Sequence, residues 1–378
     1  MPKGLATVAQ LGEFDEIIDA RSPGEYADDH LPGAISCPVL SDEERARVGT
    51  LYKQVSPFAA KKVGAALVAK NIARHIEERF LDQPREWKPL VYCWRGGKRS
   101  GAFSHILREI GWDAHRLDGG YKAWRRQVVA DLAELPRRFD FHVVSGATGS
   151  AKSRVLEALA ALGAQVLHLE ELACHKGSVL GNLPDAAQPS QKMFESRLHA
   201  ALGALDPQRP VFAEAESRRI GRVALPEAMI AAIRAAPCLR IEASVAARVD
   251  FLLRDYAYFL ADPRQLAEQL QHLRQLQGDA TIERWLALVQ AGDFGTLVAE
   301  LLDRHYDPLY RRSQAKNYAA YAQAASFATD DLSAAGIARL ADALLAAVAT
   351  GAPACGAVAE LDCGAVAGLD CGAVAELD

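Results

Sequence analysis

The sequence has no uninterrupted apolar run of the roughly 18 residues that a membrane-spanning helix needs. Its Ala- and Leu-rich stretches are broken by Arg, Glu or Gln every few residues, so no membrane span is expected. The opening residues, MPKGLATVAQLGEFDEIIDA, lack the charged start, apolar block and cleavage site of a secretory signal; a cytoplasmic chain is expected. C-x-x-C pairs are missing too. The seven cysteines, at 37, 93, 174, 238, 355, 363 and 371, are regularly spaced only in the last three. That pattern supports neither a disulfide framework nor a zinc site, and predicts reduced thiols, no metal ligand set and no tightly bound cofactor. A strong charge of either sign is also absent. The formal net charge is −5, and residues 351–378 hold five acids (Glu360, Asp362, Asp370, Glu376, Asp378) with no Lys or Arg. The remaining 350 residues therefore balance at 43 basic against 43 acidic. Net charge permits an RNA partner without pointing to one.

What is present is an alternation of strand-like and helix-like pieces over 378 residues, enough for two or three domains. EIIDA (16–20), AISCPVL (34–40), PLVYC (89–93) and DAHRL (113–117) read as strands. Ser41 with Glu44 forms a capping box, and Ser56–Pro57 opens a helical pattern reaching Phe80. Helices are expected over 98–110 and from Tyr121 through YKAWRRQVVADL. After the connector DLAELPRR (131–138), a second alternation begins with FDFHVVSG (139–146), a helix near 152–162, and strands at 164–170, 210–216, 237–243 and 325–331. Residues 244–310 are almost wholly helical in pattern, and 332–349 forms a last helix. The final 24 residues are three eight-residue units, CGAVAELD, CGAVAGLD and CGAVAELD, too short to bury a core.

Two segments carry chemistry. In YCWRGGKRSG (92–101), Cys93 ends a buried strand, and Arg99 and Ser100 follow at a helix start. Loop and first-turn N–H groups point inward there, with Gly96 and Gly97 allowing close approach. Together with Arg95, Lys98 and Arg99, that field is expected to lower the Cys93 pKa and make it a nucleophile. In VVSGATGSAKSRVL (143–156), Gly146-Ala147-Thr148-Gly149-Ser150-Ala151-Lys152-Ser153 fits G-x-x-x-x-G-K-[ST], except that Ala151 replaces the second glycine. Its amides would cradle phosphate oxygens, Lys152 would reach a terminal phosphate, and the Ser153 hydroxyl would hold Mg²⁺. A methyl at 151 is expected to narrow the loop. Glu214 and Glu216, after PVFAEAE, are candidates for an acid facing that metal.

The flanks of the first motif resemble rhodaneses: IIDARSPGEYADDHLPGAISCP matches their N-terminal signature, and LDGGYKAW (117–124) their glycine turn and Ala-Trp helix. The resemblance implies a persulfide-type cysteine and gives Asp19, Arg21 and Glu25 bracing roles, with Arg21 also within reach of the loop. Common rhodaneses have four residues between the cysteine and the later arginine, but this chain has five. The longer spacing is shared with protein tyrosine phosphatases, so the loop alone does not choose transferase over phosphatase.

The order of the two motifs, with HKGSVLG (175–181), QPSQKMFESRL (188–198), AEAESRRIG (213–221) and RHYDPLYRRS (304–313), resembles the tRNA 2-selenouridine synthases. That resemblance implies an α/β chain: a rhodanese-like three-layer domain over 1–135, then a P-loop NTPase-like α/β domain over 139–350 with a largely helical extension. The repeat tail, 351–378, is expected to be disordered. It further implies conversion of wobble 2-thiouridine to 2-selenouridine, by S-geranylation from geranyl diphosphate and selenium transfer from selenophosphate. Partners would be thiolated tRNA and an enzyme supplying selenophosphate. Arg218, Arg219 and Arg222 are the candidate RNA contacts. The alternatives are a Cys-x5-Arg phosphatase or a sulfurtransferase, fused to a kinase-like P-loop module.

Overall fold

The computed structural model describes residues 4–178, 181, 183, 186–257, 262–318, 321, 324–350 and 359–360. The chain forms two compact units that cut across the linear division at 135–139. The first comprises 1–140, 167–209 and 216–233; the second comprises 141–166, 210–215 and 234–378.

The first unit is built on a five-stranded parallel sheet of order β1-β5-β4-β2-β3, with β1 Leu5–Ala6, β2 Glu16–Asp19, β3 Ile35–Ser36, β4 Pro89–Tyr92 and β5 His115–Leu117. β4, the central strand, is buried along its whole length, as a continuous apolar run requires. β1 is unforeseen by the sequence: two residues carry no periodicity, and the strand exists because its backbone adds to the edge of β5. Helices α1 (Pro23–Asp28), α2 (Asp42–Gln54), α3 (Pro57–His75), α4 (Lys98–Ile110) and α5 (Gly120–Glu134) connect the strands. The capping box forms as read: the Glu44 amide donates to Ser41 Oγ at 3.1 Å and the Ser41 amide to Glu44 Oε2 at 2.8 Å. The helical pattern reaching Phe80 holds as α-helix to His75 and then widens into a π-turn, Ile76–Phe80, which carries Phe80 into the core. That core joins Ile18 and Val91 of the sheet to Ile72, Phe80, Trp87, Phe103 and Leu107.

The same unit takes in α7 (Leu169–Leu172), α8 (Gln191–Gly203), all but the last two residues of α9 (Glu227–Ala235) and a hairpin of β9 (Arg219–Ile220) and β10 (Val223–Ala224). α8 explains why. Lys192 pairs with Asp28 at 2.6 Å, His199 with Asp131 at 2.8 Å, and Arg125 with Glu195. Ser196 Oγ donates to Asp29 Oδ2 at 3.1 Å, where the Tyr121 hydroxyl also donates, at 2.8 Å. A segment late in sequence thus completes the buried polar network of the early one.

The second unit holds a sheet of order β13-β12-β11-β6-β8-β7, with β6 Phe141–Gly146, β7 Gln165–Leu167, β8 Val211–Glu214, β11 Cys238–Glu242, β12 Ala325–Ala328 and β13 Ala359–Glu360. β6 sits between β8 and β11, parallel to both. The chain runs outward from β6 to one side and later returns to build the other. The carboxyl ends of β6 and β11 therefore flank a topological switch point, where open α/β sheets place ligands. α6 (Lys152–Ala161) and helix Ala334–Ala349 pack Val155, Leu156, Leu159, Ile337, Leu340 and Leu344 onto Val144, Leu239, Ile241 and Phe327. The expected helical stretch begins with α10 (Val245–Asp255) and runs, over described residues, through Pro263–Gln271, Asp279–Ala291, Phe294–Leu301 and Asp307–Asn317. Trp285 is fully buried within it. The expected disordered tail lies outside the described residues, apart from the backbone of β13, which pairs with β12.

Candidate functional site

Cys93 follows the buried strand β4, and the chain turns through Trp94–Gly97 into α4. Gly96 takes φ +62°, where an added Cβ would lie 2.4 Å from the Leu117 carbonyl oxygen. Gly120 takes φ +56°, with a virtual Cβ 2.2 Å from the Cys93 carbonyl oxygen. The loop and the turn after β5 are thus pressed backbone to backbone, joined by the Tyr121 amide donating to the Cys93 carbonyl at 2.9 Å. Gly97 differs from what its motif suggested: nothing lies within 4 Å of a Cβ there. Its contribution is its N–H.

That N–H donates to Cys93 Sγ at 3.3 Å, and the Ser100 hydroxyl donates at 3.2 Å. Cys93 is 3% exposed, so burial by itself pushes the thiol up. The Ser100 hydroxyl and amide, the Arg99 charge and the Gly97 amide outweigh it, and the pKa falls below the ordinary thiol value. Cys37 and Cys238 show the opposite balance: burial pushes them up to about 12 and about 11.

The charged flanks divide. Arg99 pairs with Glu25 at 2.7 Å, which holds the Glu25 carboxyl low despite its burial. Arg95 and Lys98 are exposed, and the charge that lowers the Cys93 pKa most is that of Arg99. The bracing roles of Asp19 and Arg21 are explicit. Arg21 is 1% exposed, forks onto Asp19 with Nη2 at 2.6 Å, donates to the Asp29 carbonyl and lies 4.0 Å over the Tyr121 ring. Tyr92 donates to Asp19 Oδ2 at 2.6 Å. These groups stiffen the strand that delivers Cys93, and Arg21 is fully engaged among them.

In the second unit, β6 ends at Gly146, and residues 147–151 turn into α6. Gly149 has φ +85°, and Lys152 Nζ donates to the Gly146 carbonyl at 2.9 Å. Ala151 takes φ +59°, the left-handed conformation that its glycine counterpart would adopt freely. Its methyl packs into the core with Val144, Val155 and Leu156, so the cost falls on the backbone. Arg248, 4% exposed, donates to the Thr148 carbonyl at 2.8 Å and forks onto Asp307 at 2.6 and 3.1 Å. Glu214 ends β8 beside β6 and is 1% exposed. Glu216 belongs to the first unit, where a Cβ on Gly177 would lie 2.9 Å from its carboxylate. The chain passes from the second unit to the first after Ala215, so Glu214 and Glu216 are assigned to different units.

Comparison with known proteins joins these halves. A family model described as the tRNA 2-selenouridine synthase AAA domain matches residues 139–265, and a rhodanese-like domain model matches 5–127. The chain is 36% identical to a tRNA 2-selenouridine synthase of Nitrosomonas europaea over 68% of this chain and 66% of that one. It is 36% identical to that of Bdellovibrio bacteriovorus over 64% of each, slightly under two thirds of the relative's length. For Marinobacter nauticus the identity is 34%, over 78% of this chain and 87% of the relative. The chain belongs to the tRNA 2-selenouridine synthase family.

The segments that suggested the 2-selenouridine synthase family now have physical roles. In QPSQKMFESRL, Ser190 caps α8 and donates to the Asp28 carbonyl, while Gln188 donates to the Ala173 and Ile220 carbonyls. In HKGSVLG, buried His175 accepts from the Gly177 amide at 3.1 Å, and burial lowers its pKa; residues 179 and 180 lie outside the described set. Of the candidate RNA contacts, Arg218 pairs with Glu227 at 2.6 Å and Arg222 donates to the Gln188 carbonyl at 3.2 Å. Arg219 is exposed on β9. Asp29, Tyr121, Arg248 and Asp307 were not singled out by sequence reasoning. Their roles come from partners up to 167 residues away, although RHYDPLYRRS had flagged the segment containing Asp307.

Proposed function

We propose that this chain converts the wobble 2-thiouridine of tRNA to 2-selenouridine in two steps. In the first, the thiocarbonyl sulfur attacks C1 of geranyl diphosphate. The C1–O bond breaks, diphosphate leaves with the electron pair, and the base loses its N3 proton. The loop 146–153 offers amides and Lys152 to the charge that grows on the leaving group. In the second, the selenium of selenophosphate adds at C2, the C2–S bond breaks and geranylthiol departs with a proton, which is easier than expelling sulfide because the sulfur is already alkylated; water then cleaves the Se–P bond, releasing phosphate and leaving 2-selenouridine. The Cys93 loop handles this anion.

The observation that carries the reading is the pair of donors on Cys93 Sγ, the Gly97 amide and Ser100 hydroxyl, which hold the sulfur as an anion-receptive nucleophile. The engagement of Arg99 by Glu25 favours a transferase over a phosphatase, whose loop arginine must face the phosphoryl group. Ser153 and Glu214 offer the hard oxygen ligands Mg²⁺ prefers, and that ion takes most of its shell from phosphate and water. Bound there, it would offset diphosphate charge. No other cofactor is required. The reading places the enzyme in the cytoplasm with its tRNA and a selenophosphate-supplying enzyme. Among the described residues, no helix is long and apolar enough to cross a membrane.

The test is direct: incubate the protein with 2-thiouridine tRNA, geranyl diphosphate and selenophosphate, digest the RNA, and identify nucleosides by mass spectrometry. Geranylated 2-thiouridine without selenophosphate, and 2-selenouridine with it, are expected. Unchanged 2-thiouridine under both conditions refutes the reading.

A further inference from the structure

We propose that a cavity at the carboxyl ends of β6 and β11 receives the substrate base itself, as a single pyrimidine nucleoside extruded from the RNA, next to the phosphate loop. The inference rests on the function proposed above and names the acceptor site for its first step. The cavity, about 270 Å³, lies at the switch point of the second sheet. It shares Gly146, Ala147 and Ser150 with the loop and is closed on another side by Ile241 and Glu242 of β11. A base seated there presents its C2 substituent to whatever carbon is attached to a loop-held diphosphate.

Three observations select a base over a prenyl chain. First, the lining is polar: Ile241 is its one large aliphatic side chain, against Arg240, Glu242, Arg248, Asp307 and Arg311. A ten-carbon chain would gain little burial there, whereas a ring with both N–H and carbonyl groups meets acceptors and donors alike. Second, the buried Ser150 hydroxyl, on a residue 1% exposed that lines the cavity, has no hydrogen-bond partner among the described residues. An unsatisfied buried hydroxyl is costly, and a ligand carbonyl or ribose hydroxyl relieves it. The Tyr310 hydroxyl, beside Ser145, Gly146 and Tyr321, lines the same cavity. Third, Tyr310 and Tyr321 supply aromatic surface, with the Arg240 guanidinium 5.5 Å from the Tyr321 ring centre. Bases stack on such surfaces with little regard to sequence. The size fits one nucleoside: it falls just below the roughly 300–1,000 Å³ of clefts for drug-sized ligands. Enzymes acting on a base withdraw it singly from its stack.

The full chain is tested with an anticodon stem-loop bearing 4-thiouridine at the wobble position, irradiated and mapped by mass spectrometry. Crosslinks to peptides containing Tyr310 or Tyr321 are expected; crosslinks confined to other segments overturn the proposal. In parallel, Glu242→Gln and Tyr310→Phe should raise the KM for a 2-thiouridine stem-loop about tenfold and leave the Kd for inorganic pyrophosphate within about twofold. If instead the KM for geranyl diphosphate rises alone, the cavity holds the prenyl chain. If ADP binding is lost while the stem-loop KM stands, it holds a free nucleotide. Either result sinks the proposal. Should the wild-type chain alkylate no thiouridine at all, the functional reading fails on its own, while the crosslink map still reports whether a base enters the cavity.

Discussion

The Cys93 loop and the loop before α6 solve one problem, turning a strand into a helix within a few residues, and they treat a methyl group differently at Gly96, Gly120 and Ala151. In the first, Gly96 and Gly120 press two backbones so closely that no Cβ fits. In the second, Ala151 adopts the left-handed conformation of a glycine and buries its methyl in the core beneath α6. The difference is one of direction. A left-handed residue whose Cβ points at another backbone must be glycine, whereas one whose Cβ points at side chains has a choice. At Gly96 and Gly120 the constraint is therefore space, and at Ala151 it is torsion.

The largest effect expected is on chemistry. Cys93→Ser should cut selenium incorporation by at least about a thousandfold, as loss of a nucleophile does, while geranylated 2-thiouridine accumulates in the tRNA. Appearance of 2-thiouridine alone would break the assignment of the two loops to separate steps. Next is Gly120→Ala, expected to cost about 3 kcal/mol from left-handed strain plus overpacking, read as a lower urea midpoint. A wild-type midpoint would show that the loop yields where the geometry says it does not.

Ser100→Ala removes the hydroxyl donor that lowers the Cys93 thiol most, so the pH midpoint of its alkylation by iodoacetamide should move up toward the free-thiol value. The sign for stability follows. Because the folded thiol ionises below its unfolded value, this contribution is complete above the unfolded pKa and is lost as pH falls through the folded one. Smallest is Ala151→Gly. Relief of torsion is offset by a lost buried methyl, worth about 0.8 kcal/mol, and by greater freedom of the unfolded chain. Stability should change by no more than about 1 kcal/mol, with pyrophosphate affinity within about twofold. A tenfold gain in affinity would show that the methyl intrudes on the ligand after all.

Local signals were legible in the sequence and distant ones were not. α4, the Ser41–Glu44 capping box and the glycine loop before α6 could be read because each is decided within a few residues. β1 could not, since an edge strand of two residues owes its existence to a partner more than a hundred positions away. The boundary at 135–139 follows a real connector, yet space is divided by α8, whose pairing with Asp28, Asp29, Arg125 and Asp131 leaves no periodic trace. Chemistry was read more surely for Cys93 than for its neighbours. Arg95, Lys98 and Arg99 look alike in sequence, and among the described residues only Arg99 pairs with a carboxylate.

Asp29 has an implication for anyone handling the gene. Its carboxyl, fully buried, accepts at one oxygen from a tyrosine of α5 and a serine of α8, and burial already raises its pKa. A fragment clipped at the connector would keep the tyrosine and forfeit the serine, along with the cationic tether from Lys192. Some sixty residues separate the end of α5 from α8, so a rhodanese portion cut at the connector is expected to be less stable than the same residues in the full chain.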